Sequence, residues 1–170
     1  LMVFMGLVPV YLVMKSSAPL NPLDALPIMI TAAAITLEAV SDRQLRVYRR
    51  NRGTGENILD SGLWRYSRHP NYFGEIILWL GIAIIALPAM SGWQYITLVS
   101  PVFVYLQLTR VSGIPMLERK ADERWGGQAD YEAYKARTPV LFPVPRSPMI
   151  ITPPMRRSIT LSSRASFISS

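Results

Sequence analysis

An all-α fold, a polytopic transmembrane helical bundle, is what this sequence predicts, and three observations carry the reading. Residues 76–109 contain no charged side chain, and neither do residues 1–14 or 25–37. Half of the 170 residues are hydrophobic, yet the net charge is +7. The basic residues crowd beside the apolar runs instead of being scattered among them. A soluble domain of this size would distribute its apolar residues in shorter periodic pieces. It would also have to bury residues 76–87 and 96–108 on all sides, with little polar surface left to solvate them.

Each element follows from local signals. Residues 1–14 read as a partial span, because the chain opens on Leu1 inside an apolar run; the sequence is therefore taken as the later part of a larger membrane protein. Residues 25–40 form a further span that continues into water to about residue 50, carrying Glu38 near its end. The glycines of Asn51-Arg-Gly-Thr-Gly stop that helix, and Asp60-Ser-Gly is a second turn. Pro70 suits the first turn of a helix beginning between His69 and Tyr72. A span needs about 20 apolar residues, so the uncharged run is close to two spans, 76–87 and 93–109, paired as a hairpin. Pro88 to Gly92 supplies its turn, with Trp93 and Tyr95 as interface anchors. Gly113-Ile-Pro interrupts the chain, Pro115 starts a juxtamembrane helix to about Trp125, and Gly126-Gly127 ends it. Residues 128–135 make a short helix before Pro139. The expected organisation is a membrane-embedded domain over 1–143, N-terminally truncated, followed by a disordered basic tail rich in Ser and Pro over 144–170.

Charge sets the expected orientation. Seven of the eighteen basic residues lie in 43–68 and seven more in 110–146, on the same face of the hairpin, whereas the opposite 15–24 connection carries one lysine. The positive-inside tendency puts both basic blocks, and the C-terminus, in the cytoplasm. This is the pattern of a multi-pass protein of the endoplasmic reticulum in a eukaryote, or of the inner membrane in a bacterium. Membrane lipids are its expected partners and nucleic acid is not. With no cysteine and a single histidine, no protein-only metal site is expected.

The polar residues collect where spans meet water. Arg65, Arg68, His69, Asn71, Tyr72 and Glu75 crowd one turn and helix start. Arginines make multidentate bonds to phosphate, Asn71 can donate and accept, and Glu75 can orient an arginine or accept from a hydroxyl or carboxamide. A carboxylate at the entrance of an uncharged span is costly unless paired or used. Glu38, Asp42, Arg46 and Arg49 share one helical face and read as a partly buried charge network. Glu118, Tyr131, Tyr134 and Arg137 form a third group, for which solvated surface charge is the simpler reading. Trp64, Tyr66 and Tyr72 also suit interface anchoring, which is preferred for Trp64. Gly53-Thr-Gly55 is neither a dinucleotide fingerprint nor a P-loop.

Three stretches carry a family resemblance. Asp42-Arg-Gln-Leu-Arg, Gly62-Leu-Trp-Arg-Tyr-Ser-Arg-His-Pro-Asn-Tyr-Phe-Gly-Glu and Val111-Ser-Gly-Ile-Pro-Met-Leu-Glu resemble the DUF1295 membrane proteins, related to the steroid 5-alpha-reductase and sterol-reductase superfamily. The resemblance covers roughly residues 20–143. It implies the C-terminal part of a steroid 5-alpha-reductase-like fold, enclosing NADPH from the cytosolic side. The helix with Glu38, Asp42, Arg46 and Arg49 would contact that cofactor, joined by Asn71 and Glu75. The implied reaction is hydride reduction of a carbon–carbon double bond in a steroid- or lipid-like enone. Reductases of this kind carry their substrate-side tyrosine and glutamate largely in an N-terminal half, which is not carried over here. Tyr72 or Tyr66 is the candidate proton or hydrogen-bond donor within this chain. Arg65, Arg68, His69, Glu118 and Tyr134 complete the expected cofactor set. Residue 38 departs from the pattern, being glutamate where active reductases can have an amide. Arg68-His69-Pro70 also resembles the Arg-His-Pro motif of isoprenylcysteine carboxyl and phospholipid methyltransferases, so an S-adenosylmethionine-dependent lipid or isoprenylcysteine methyltransferase is the alternative. A non-catalytic membrane remnant is the third.

Overall fold

A computed structural model describes residues 2–17, 21–51 and 58–143. The chain is all-helical among these residues. Helix α1 (Met2–Lys15) is followed by a short 3-10 turn, Pro22–Asp24. Asn21 caps that turn, its side chain accepting from the Leu23 amide at 2.7 Å while its own amide donates to Asp24 at 2.8 Å. Helix α2 (Ala25–Asn51) then runs unbroken for 27 residues, about 40 Å. It joins the expected span and its aqueous extension into one rod, described as far as Asn51, and the expected break after it falls on residues outside the described ones. The Gly53-Thr-Gly55 turn and the 144–170 tail lie outside the described residues.

Helix α3 (Pro70–Ala86) begins as expected, with His69 at the cap and Pro70 in the first turn, where its missing N–H costs no helical bond. Among the described residues, two helices are long and apolar enough to cross a membrane, one over Pro22–Asn51 and one over Pro70–Ala89.

The second limb of the predicted hairpin differs from expectation. The turn falls at 87–92, but residues 92–111 form no uniform helix. A 3-10 stretch (Gly92–Leu98) leads into α4 (Val99–Leu106), only 8 residues long, and this widens into a π turn over Gln107–Val111. Pro101 is one cause. It has no N–H for the Thr97 carbonyl, so the α pattern cannot extend smoothly backwards through that turn. After it come α5 (Ile114–Trp125) and α6 (Ala129–Arg137), close to their predicted bounds.

The two long helices hold the fold together by close approach. A Cβ on Gly74 would lie 3.0 Å from the Ala34 carbonyl oxygen, and one on Gly81 would lie 2.2 Å from Thr31 Oγ1. The absence of side chains there lets the α3 backbone sit against α2, as small residues do between membrane helices. Hydroxyls along α2 are satisfied within that helix. Thr31 donates to the Pro27 carbonyl at 2.7 Å and Ser41 to the Leu37 carbonyl at 2.6 Å.

Candidate functional site

Where α2 and α3 emerge from the apolar zone, the segment just before α3 folds back over α2. Gly62 has φ +59°, a left-handed conformation that glycine adopts without strain, and Gln44 Oε1 accepts from the next amide, Leu63, at 3.0 Å. Trp64 is therefore driven inward, 8% exposed, and donates its indole N–H to the Ser41 carbonyl at 3.1 Å. It is a packed wall residue, not the interface anchor its type suggested.

The following turn is stapled to the segment after α6. The Arg68 amide donates to the Pro139 carbonyl at 2.9 Å, and the fully buried Ser67 hydroxyl to the Leu141 carbonyl at 2.9 Å. Tyr134, buried on α6, donates to the Trp64 carbonyl at 3.0 Å. Arg137 pairs with Asp60. These ties close a pocket of about 430 Å³ between the end of α2, the start of α3, and helices α5 and α6.

Its walls are aromatic and cationic. Tyr48, Trp64, Trp125 and Tyr131 supply ring surface, while Arg49, Arg68, Lys120 and Arg124 supply positive charge against the one carboxylate of Glu118. Glu118 is only 22% exposed and is paired, contrary to the simpler expectation for its helix. One of its oxygens lies 2.8 Å from His69 Nε2 and the other pairs with Arg68. Burial pushes the Glu118 carboxyl up, but the His69 hydrogen bond and the Arg68 charge outweigh it and hold the group below the usual range. Two buried polar atoms at this wall lack a protein partner, Arg68 Nε and Asn71 Oδ1.

A second cluster braces the floor. Asp122 Oδ1 accepts from Lys135 at 2.6 Å and from the Tyr131 hydroxyl at 2.7 Å. These two hydrogen bonds hold the Asp122 carboxyl low. Burial first, and then the Asp122 contact, push the Tyr131 phenol up.

A folded carboxyl held below its ordinary value stabilises the fold fully above that value and loses the effect as pH falls through the folded one. Acidification below about pH 4 should therefore lower the melting temperature in detergent through Glu118 and Asp122, whose ordinary values are 4.5 and 3.8. Glu118→Gln should flatten this acid limb, and an unchanged limb in thermal melts would show that Glu118 adds nothing to it.

Six of the predicted cofactor residues line the pocket: Arg49, Arg68, His69, Asn71, Glu118 and Tyr134. Glu38, Asp42, Glu75 and Tyr72 lie along α2 and α3 instead, within electrostatic reach of one another. The expected α2 charge network does not form. Among the described residues no ion pair joins Asp42 to Arg46, whose side chain is exposed. Glu75 meets Trp79 one turn along α3, not an arginine. The Tyr72 ring stacks on His69, centroids 5.7 Å apart. Arg65 and Tyr66 are exposed, Tyr66 at 41%. Gln44, Ser67, Asp122 and Trp125 were not foreseen. Their partners are mostly distant in sequence, and nothing in their local pattern marks them.

The fold and pocket define an all-helical membrane protein with a cationic, aromatic cavity at the mouth of its apolar helices. The chain belongs to the family described as "Protein of unknown function (DUF1295)", which matches residues 1–138. It is also distantly related to 3-oxo-5-alpha-steroid 4-dehydrogenase 1 of Bos taurus, 34% identical over 74 residues, which is 41% of this chain and 28% of that protein. The chain thus matches under a third of that relative's length. No solved structure matches it.

Proposed function

We propose that this chain is the cofactor-holding part of a membrane reductase that uses NADPH to reduce a carbon–carbon double bond in a hydrophobic, steroid- or lipid-like enone. The observation that carries the reading is the pocket wall, four cationic side chains with indole and phenol surfaces beside them. Such a wall suits a ligand with several phosphates and flat rings. S-adenosylmethionine has no phosphate and itself carries positive charge, so it has less use for this wall. The unpartnered Arg68 Nε and Asn71 Oδ1 fit the same class of ligand, offering a donor and an acceptor. The likeness to a steroid dehydrogenase supports the reaction type.

In this reading Arg49, Lys120 and Arg124 bind phosphate at the rim, while Trp64 and Trp125 offer flat surface to the rings. Glu38, Asp42 and Glu75 extend the site along α2 and α3 as hydrogen-bond acceptors for ribose or carboxamide groups. Tyr72, stacked on His69 and within electrostatic reach of Glu75 and Asp42, would donate a proton or hydrogen bond to the substrate. Tyr66 is given no role. When bound, the nicotinamide supplies the hydride. The basic end faces the cytoplasm, where a soluble nucleotide is available.

Titration of NADPH and S-adenosylmethionine into the full protein in detergent tests the proposal. Micromolar NADPH binding is expected. Tight S-adenosylmethionine binding without it would overturn the reductase reading in favour of methyl transfer. Arg49→Ala should weaken NADPH binding by about 10–100-fold, the worth of a charged hydrogen bond, with little change in melting temperature. Arg46→Ala, at an exposed residue outside the pocket wall, is the comparator. Equal affinities in both variants would remove Arg49 from the site.

A further inference from the structure

We infer that Glu118 is a positioning residue for the ligand-binding arginine and not itself a ligand contact. It holds the Arg68 guanidinium by one edge so that the buried Nε–H is kept for an anionic acceptor in the pocket. The inference rests on the anionic-cofactor reading above.

Both Glu118 oxygens are occupied by the protein, one by His69 Nε2 at 2.8 Å and one by Arg68 Nη1. A ligand donor reaching either oxygen would have to share it with one of those protein bonds. An anionic ligand would also be repelled by a carboxylate, unless that carboxylate were already neutralised by its neighbours. The backbone around Arg68 is fixed independently, by the Arg68 amide on the Pro139 carbonyl and by the His69 amide on Ser67 Oγ at 3.2 Å. The side-chain aim alone remains to be set, and a long arginine has many rotamers to lose. Glu118 sets it from another helix, 50 residues away. The arginine side chain is 13% exposed, yet its Nε has no partner within the protein. A buried donor is seldom left unpaired. His69 is held at its other side by the Tyr72 ring, so the same carboxylate also fixes the imidazole.

A double-mutant cycle on the full protein separates the possibilities. NADPH affinity is measured for the parent, Glu118→Gln, Arg68→Ala and the double variant, with melting temperatures alongside. Glu118→Gln should bind about tenfold more weakly, and should add no further loss once Arg68 is Ala. Losses that multiply would show Glu118 and Arg68 acting separately, and would overturn the inference. So would parental affinity in Glu118→Gln. A parent that binds no NADPH would instead bring down the reductase reading itself.

A ligand-free readout guards against misfolding. His69 is the chain's single histidine, so its ring nitrogens give one set of 15N resonances. Glu118→Gln should move the Nε2 resonance, and Glu118→Asp should restore part of the shift and part of the affinity. An unmoved resonance would show that no Glu118–His69 contact exists, and the positioning role would go with it.

Discussion

Trp64→Ala should cost about 3–5 kcal/mol of stability, the largest loss expected from a single truncation among the described residues. The indole is 8% exposed and fills the space between the end of α2 and the pocket. It is also a junction. Its N–H holds the Ser41 carbonyl at 3.1 Å, and its own carbonyl receives the Tyr134 hydroxyl at 3.0 Å. Truncation leaves a cavity and strips the Ser41 carbonyl of one donor, whereas the backbone tie to Tyr134 survives, so the loss should fall first on the contact with α2. Trp64→Phe keeps most of the volume and loses the N–H, and should cost about 1 kcal/mol. Thermal melts of both variants in detergent, with NADPH titrations beside them, check the ordering. Trp64→Ala melting with the parent would mean the side chain is not packed as described.

The second large effect is expected at the α2–α3 contact. Gly81→Leu should destabilise by at least the upper end of the usual overpacking cost of about 1–3 kcal/mol. A Cβ there would already lie 2.2 Å from Thr31 Oγ1 and 3.3 Å from Thr31 Cβ, and a leucine adds three more carbons. Thr31 has little freedom to retreat, since it is β-branched and its hydroxyl donates to the Pro27 carbonyl. The cause can be isolated with smaller changes. Gly81→Ala should be destabilising, and Thr31→Ala in the same chain should recover most of the loss, because Oγ1 is the only Thr31 atom closer than 3.0 Å. Failure of Thr31→Ala to rescue would place the strain elsewhere. Because the pocket sits where these two helices emerge, parting them should weaken NADPH binding as well as lower the melting temperature.

The elements with local causes were legible in the chain itself. Pro70, Pro115 and the Gly126-Gly127 pair fall at the helix ends they were expected to make, and the uncharged runs mark α2 and α3 as spans. Helix 92–111 was less so. Its apolar composition is uniform, but the 3-10, α and π pieces depend on how Pro101 and the neighbouring helices share out carbonyl partners. Composition does not record that. Among the site residues, the cluster at Arg68, His69 and Asn71 was visible because it is compact in sequence and abuts a span.

The sequence by itself determined the helical membrane class, the order of the elements and the gathering of basic and aromatic groups at one end. Those properties follow from hydropathy, proline and glycine geometry and charge counts, all of which act over a few residues. Only the tertiary structure decided which of those groups meet. It divided the candidate residues into a pocket set and an α2–α3 carboxylate set, left Arg46 in solvent, and turned Trp64 inward. It also gave Glu118 to Arg68 and His69, across 50 and 49 residues. Contacts of that kind are set by how close α2 and α3 can approach and how the chain after α6 returns to Ser67, and no local pattern encodes either distance.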